Sequence, residues 1–271
     1  MTAVDTTFGF PGTFHIVRCR LCTMLYTNPQ VATEALPAFY PEDYSAHAPD
    51  RALRRPGGKP GSDPWDRLPD NGRKRLLDVG CGSGAYLLRQ KQAGWIVHGI
   101  EPSAEAVAAA RGHGLDVAQG VIPGAELPDD AFDIVTMLGV LDHVPDPLAT
   151  LRELRRHMAA GGRLIASVPN AASAAAECFG ADWPGWDLPR HQNHFTPETT
   201  IEMFSRAGFT NVELSWKRRT KRWLRGARLR AASSGALAWR LTAASRNLCS
   251  LMAHVRSRGV RSDEIVAVAW A

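Results

Sequence analysis

Gly80, Gly82 and Gly84 stand at alternate positions after the apolar run Leu76-Leu77-Asp78-Val79, and a helical stretch, Ala85 to Ala93, follows them. Glycines end a strand and let the backbone turn tightly, and with no Cβ they let a ligand lie against main-chain N–H groups. The positive end of the next helix points at the same spot. About twenty residues on, Glu101 closes a second apolar run, Trp95 to Ile100. A carboxylate there can accept both hydroxyls of a ribose. The pair predicts a nucleoside-containing cofactor.

The acid before the glycines narrows the choice. The dinucleotide fingerprint G-x-G-x-x-G serves a pyrophosphate, whereas this chain has G-x-G-x-G preceded by Asp78. A carboxylate repels a pyrophosphate and attracts a cation. S-adenosylmethionine, which carries a sulfonium and an ammonium group and no phosphate, fits this charge pattern. A reductase of similar topology is the competing reading.

These residues need a frame that brings strand ends together. Strand patterns at 75–79, 95–100, 115–118, 132–138, 163–168, 210–216 and 265–270 alternate with helix patterns at 84–93, 103–112, 148–159 and 197–207. Pro147 suits a first helical turn and Thr196 an N-cap, and Gly161-Gly162 reads as the cap ending helix 148–159. Such alternation predicts an α/β fold, a mostly parallel sheet with helices on both faces, and a ligand at the carboxyl ends of the strands. Residues 1–48 read as an N-terminal appendage and 49–74 as a Pro/Gly-rich linker. Residues 75–217 with 262–271 form the main domain, and 218–261 an insert.

The motifs resemble those of the class I S-adenosylmethionine-dependent methyltransferases. LLDVGCGSG is similar to their first motif and GIEPS, with Glu101 and Pro102, to their ribose-binding segment. FDIVTMLGVLDHVPDP (Phe132 to Pro147), LRELRRHMAAGGRLIASVPN (Leu151 to Asn170) and HFTPETTIEMFSRAGF (His194 to Phe209) are similar to later segments in the right order. The resemblance covers roughly residues 74 to 271. It implies a Rossmann-like seven-stranded sheet with an antiparallel last strand, and an enzyme moving a methyl group from S-adenosylmethionine to an acceptor.

By that resemblance Asp78, Gly80, Cys81, Gly82, Gly84, Glu101 and Pro102 hold the cofactor. Val121 flanks the adenine, and the backbone of Met137 and Leu138 lines the methionine arm. Tyr44, in Phe39-Tyr40-Pro41-Glu42-Asp43-Tyr44, closes over it as a lid or packs as an ordinary aromatic. Cys81 reads as small filler rather than a nucleophile. Where the family often has V-L-E-H, this chain has Asp142 before His143, so only His143 carries over, as a site-lining or a structural residue. The segment Pro189-Arg190-His191 is similar to P-R-H-x-x-x-F and places a histidine at His191. A histidine titrates near neutrality and can take a proton from an attacking hydroxyl, so His191 is the expected general base, with His194 beside it; the alternative is that both hold the loop together. Relatives with an N-terminal zinc ribbon have two C-x-x-C pairs. Here only Cys19 and Cys22 occur, and with His15 they still fall short of the four ligands of structural zinc, so no metal is expected.

Five scattered cysteines, with no apolar leader or span, fit a reducing cytoplasm. The formal charge of +5 hides an asymmetry. Thirteen Lys/Arg and no Asp or Glu lie between Leu214 and Ser262, leaving 19 basic against 27 acidic residues elsewhere. Within the insert Leu237, Leu241, Ala244, Leu248, Leu251, Met252 and Val255 share a helical face, with Arg240, Arg246, Arg256 and Arg258 off it. This predicts a basic amphipathic helix pair. Its apolar face packs on the domain, or it meets an anionic membrane surface as a peripheral attachment, or an anionic substrate, with RNA the least favoured partner. The expected acceptor is a small molecule, methylated on oxygen in the first instance: a sugar, glycan or secondary metabolite. An RNA or protein methyltransferase docking through the insert, and a non-catalytic cofactor-binding regulator, are the alternatives.

Overall fold

The structure is a computed structural model and describes residues 1–41, 64–66, 68, 72, 74–129 and 131–271. Tyr44 and most of the linker at 49–74 lie outside the described residues. The main sheet has seven strands: β4 (Arg75–Val79), β5 (Ile96–Glu101), β6 (Asp116–Gln119), β7 (Phe132–Leu138), β8 (Met158–Pro169), β10 (Thr210–Lys217) and β11 (Glu264–Trp270). Their order is β10-β11-β8-β7-β4-β5-β6. Only β11 runs against its neighbours.

Alternation along the strands sends adjacent side chains to opposite faces. Leu77, Val135 and Leu164 join one apolar cluster with Leu151, Leu154 and Phe204. These last three come from α3 (Pro147–Arg156) and α5 (Pro197–Arg206). Leu76, Ile134 and Ile165 join a second cluster with Leu87, Val107 and Ala110, from α1 (Ala85–Gln92) and α2 (Ala104–Gly112). The N-caps Asp146 and Thr196 each accept a backbone N–H of the first turn.

One boundary differs from the sequence reading. Gly161-Gly162 does not cap a helix: α3 ends at Arg156, and both glycines lie inside β8. They form an irregularity where Phe132 pairs with Met158 but Ile134 with Arg163. A Cβ on Gly162 would come 2.8 Å from the Ala159 carbonyl oxygen, so the close approach of backbones requires glycine there.

The N-terminal segment forms a second, antiparallel sheet of β1 (Thr2–Ala3), β2 (Phe14–Arg18) and β3 (Leu25–Asn28), completed by β9 (Asn193–His194). β9 comes from the long loop after β8 and α4 (Ala174–Phe179), so this small sheet ties residues 1–28 to the mouth of the main sheet. The insert contains three helices rather than a pair: α6 (Thr220–Ser234), α7 (Leu237–Ala244) and α8 (Arg246–Arg256). Its packed face is also not the one the leucine spacing predicts. Trp223, Ala227, Cys249 and Ala253 are buried against Phe179 and Trp183, while Leu237, Leu241, Leu248, Leu251 and Val255 are exposed. Small side chains let helices approach closely. Gly226 of α6 sits where a Cβ would come 2.6 Å from the Phe179 ring.

Candidate functional site

The carboxyl ends of β4, β5, β7 and β8 meet at one edge of the sheet. After β4 the chain runs through Gly80, Gly82 and Gly84 with φ of 70°, 54° and 81°, a region that disfavours any side chain. Two of these glycines answer to packing. A Cβ on Gly80 would come 2.5 Å from Val140, and one on Gly84 would come 2.3 Å from Leu115. The loop's N–H groups are largely spent internally. Gly80 and Cys81 donate to the Ile100 carbonyl, Gly84 to that of Cys81, and Gly82 to Glu101 Oε2 at 2.9 Å. A loop so bonded holds few amides for a pyrophosphate.

Glu101, at the end of β5, also accepts the Ser103 N–H on Oε1 at 2.9 Å. Asp78 is buried and accepts the Thr136 hydroxyl at 2.6 Å. Burial pushes its carboxyl up to about 7, with the Glu101 charge adding to the rise and the Thr136 bond opposing it. It makes no ion pair among the described residues. A cation beside it would offset the cost of that burial, and Ser83 Oγ is a buried polar atom with no hydrogen-bond partner among the described residues. Two buried acids and an unsatisfied hydroxyl at a helix start fit a cationic nucleoside and not a phosphate.

The remaining candidates around this edge differ in what they offer. Pro102 and Val121 are exposed at the rim. The Met137 side chain is fully buried in the core, so only its main chain can face a ligand. Leu138 and Gly139 line a cavity of about 360 Å³. The Cys81 side chain turns inward: a Cβ on Gly99 would come 2.7 Å from its sulfur. Burial pushes that thiol well above its ordinary range, with Asp78 and Glu101 adding to the effect, so it is no nucleophile.

The cavity is also lined by Asp142, His143, His191, Arg219, Arg222 and Glu264. His191 Nδ1 lies 2.9 Å from the Gly185 carbonyl oxygen and Nε2 lies 3.1 Å from Asp142 Oδ2. Both ring nitrogens thus face acceptors of the protein, the arrangement of the alternative reading in which the histidines hold the loop together. His194 is placed in the same way. It does not line the cavity, and its Nε2 meets Thr27 Oγ1 at 3.0 Å while its ring stacks edge-on against Trp186. Burial and the neighbouring His191 hold it neutral, down to about 3. It fastens β9 to β3.

His143 does line the cavity. Its Nδ1 lies 2.8 Å from the Tyr40 hydroxyl, and its other ring nitrogen has no hydrogen-bond partner among the described residues. Burial, helped by His191, lowers it to about 4, so it is neutral at physiological pH. Tyr40 thus stands at the site, while Tyr44 lies outside the described residues. Asp142, His143 and His191 each offer a ligand atom within 4.8 Å of the others, the donor set of a two-histidine, one-carboxylate cation site. Among the described residues no third such ligand joins Cys19 and Cys22.

Sequence reasoning missed the clamp behind these residues. Arg190 is fully buried and bonds Asp5 at 2.8 and 3.1 Å and Asp187 at 2.9 and 3.1 Å, with its guanidinium over the Phe8 ring. Burial would raise Asp187, but His191 and Arg190 outweigh it and hold that carboxyl far below the usual range. The sequence signal was Arg190 itself, the one Lys or Arg in an aromatic-rich loop that also holds Asp187. Its partner Asp5 is 185 residues away.

A family model described as a methyltransferase domain matches residues 51–214. The chain belongs to that family, the class I S-adenosylmethionine-dependent methyltransferases. Ubiquinone biosynthesis O-methyltransferase of Xanthomonas oryzae pv. oryzae is 35% identical over 130 residues, which is 45% of this chain and 54% of that one. The protein of the same name from Aeromonas salmonicida is 31% identical over 157 residues, covering 52% and 65%. The chain therefore spans about half the length of the first of these relatives. An S-adenosylmethionine-dependent methyltransferase from Mesorhizobium loti has the same fold, with a TM-score of 0.53 and 20% identity over 75% of this chain and 94% of that one. The [4+2]-cyclase SpnF aligns with a TM-score of 0.50 and 25% identity, covering 73% and 74%.

Proposed function

We propose that this methyltransferase moves the methyl group of S-adenosylmethionine to an oxygen of a small-molecule acceptor held in the cavity beside Leu138 and Gly139. When bound, the cofactor supplies an electrophilic methyl group on sulfur that leaves a neutral thioether behind. Asp78 and Glu101 receive its charged and ribose portions, and the exposed Val121 and Pro102 border the nucleoside. The chain's remaining task is to align the acceptor and exclude water. His143 is the base of this reading: neutral, steered by Tyr40 at one nitrogen, with the other available to take the hydroxyl proton as oxygen attacks. His191 and Asp142 position it, the two histidine rings meeting edge-on at 4.5 Å.

The observation that carries the proposal is this neutral histidine in a cavity adjoining an acidic nucleoside cradle. The cavity volume suits a small acceptor, and the relatives' names favour oxygen as the methylated atom. A sugar, glycan or secondary metabolite remains the acceptor class we favour. The likeness to a cyclase supports a second reading, a protein that holds the cofactor without transferring its methyl group. The test is methyl transfer from labelled S-adenosylmethionine to a panel of phenolic and sugar acceptors. His143→Ala should lower kcat about 10²- to 10⁴-fold with unchanged cofactor affinity, and His143→Gln should not restore it. Turnover within threefold of wild type in His143→Ala would remove His143 as base. Cofactor binding with no transfer to any acceptor would favour the second reading.

A further inference from the structure

We propose that the outer face of residues 237–260 is a docking surface for an anionic lipid bilayer. α7 and α8 bury their small or mixed faces: Thr242, Cys249 and Ala253 are buried, and Trp239, Ala243 and Met252 pack partly against the same cluster. That leaves their leucine faces turned to solvent. Leu237 and Leu241 lie one turn apart on α7; Leu248, Leu251 and Val255 fall at i, i+3 and i+7 on α8. Leu237, Leu241, Leu251, Val255 and the following Val260 are each more than half exposed, and Leu248 is 40% exposed. Single exposed leucines are ordinary, but six large apolar side chains exposed within 24 residues, five of them on two successive helices, call for a partner.

Charge decides which partner. The segment around the patch carries only positive charge, and Lys221, Arg228, Arg240 and Arg246 are exposed and form no ion pair among the described residues. A second copy would bring the same basic face against itself, so like-charge repulsion opposes self-association. A nucleic acid would use the arginines and leave the leucines idle. An anionic bilayer uses both, the apolar side chains entering the interface and the arginines meeting headgroups. No helix of the described residues is long and apolar enough to cross a membrane, so the contact is peripheral. α6 links this face to the cavity, since Arg219 and Arg222 at its start line the cavity. A docked molecule would therefore hold its acceptor site at one end of α6 and the lipid contact at the other.

Co-sedimentation with vesicles tests this directly. The full chain should pellet with phosphatidylcholine vesicles containing roughly a third phosphatidylglycerol, and not with phosphatidylcholine alone. Replacing both Leu241→Glu and Leu251→Glu, at exposed positions, should cut partitioning at least about tenfold, from the lost apolar insertion. The pair Arg240→Gln and Arg246→Gln should cut it by about 25-fold, near fivefold per charge. Circular dichroism and S-adenosylhomocysteine affinity should match wild type in both. No pelleting with anionic vesicles, equal pelleting with neutral ones, or pelleting unaffected by the leucine pair would overturn the proposal. So would dimers in light scattering that the leucine pair dissolves, or RNA binding lost only in the arginine pair.

Discussion

Replacing Glu101 by alanine removes two kinds of bond at once, and the structure lets them be separated. In the cofactor-free protein its carboxylate accepts the Gly82 and Ser103 N–H groups, each at 2.9 Å. Bonds to a charged acceptor contribute about 1.5–3 kcal/mol each, and a buried donor left unmet costs about 1–3 kcal/mol. Part of that loss is recovered by water entering the gap, so we expect about 2–4 kcal/mol of lost stability. For a domain of this size that is a fall in Tm of roughly 5–15 °C. Binding suffers separately: losing a charge-assisted bond to the ribose should weaken S-adenosylhomocysteine by about 10- to 100-fold. Calorimetric titration at a temperature well below the lowered Tm isolates the second effect. Glu101→Asp, which keeps the charge on a shorter stem, should retain part of the affinity. A variant with lowered Tm and wild-type affinity would show that Glu101 only braces the glycine loop, and the ribose assignment would fall.

Asp78 gives a pH signature. Its free-protein value of about 7 lies above the ordinary carboxylate range, so binding a cation must expel a proton below that pH. S-adenosylmethionine affinity should fall about tenfold per pH unit below 7 and level off above it, and Asp78→Asn should flatten the profile; a flat wild-type profile refutes the linkage. By the same shift the free protein should lose stability as pH rises from about 4 to about 7, measured by chemical denaturation. Gly84→Ala meets both a φ of 81° and Leu115 at 2.3 Å from the new Cβ; we expect about 2–4 kcal/mol of destabilisation, and a loss under 0.5 kcal/mol would contradict the geometry. Arg190→Ala leaves Asp5 and Asp187 buried without their cation, which should cost about 3–5 kcal/mol and speed proteolysis of residues 1–28. Wild-type protease resistance would show that the small sheet needs no clamp.

The frame was legible because its signals are local. Strand and helix periods, Asp146 and Thr196 as caps, and the glycines with Asp78 and Glu101 all lie within short windows. Several of the failures come from pairings that no short window shows. Nothing near His191 announces that Gly185 and Asp142 occupy both its nitrogens, or that His194 faces Thr27. In the insert the leucines share the exposed side of each helix, but Met252, grouped with them by period, packs inward. Periodicity alone does not say whether the leucines or the smaller Ala253 and Cys249 side turns inward, and close helix approach favoured the smaller. β8 extends back to Met158 because Met158 pairs with Phe132, a partner that the helix-like run before it conceals.

β11 lies between β8 and β10, bonded to both along nearly its whole length. During synthesis β10 emerges well before it, with the three helices of the insert made in between. A nascent chain at that stage has an unpaired β8 edge and a β10 with no partner in the sheet, the kind of surface that pairs with the wrong molecule. The sheet can close only when β11 pairs with both, so closing depends on a segment made after the whole insert. Chaperone demand in producing this protein should therefore be set by that pairing more than by the glycine loop.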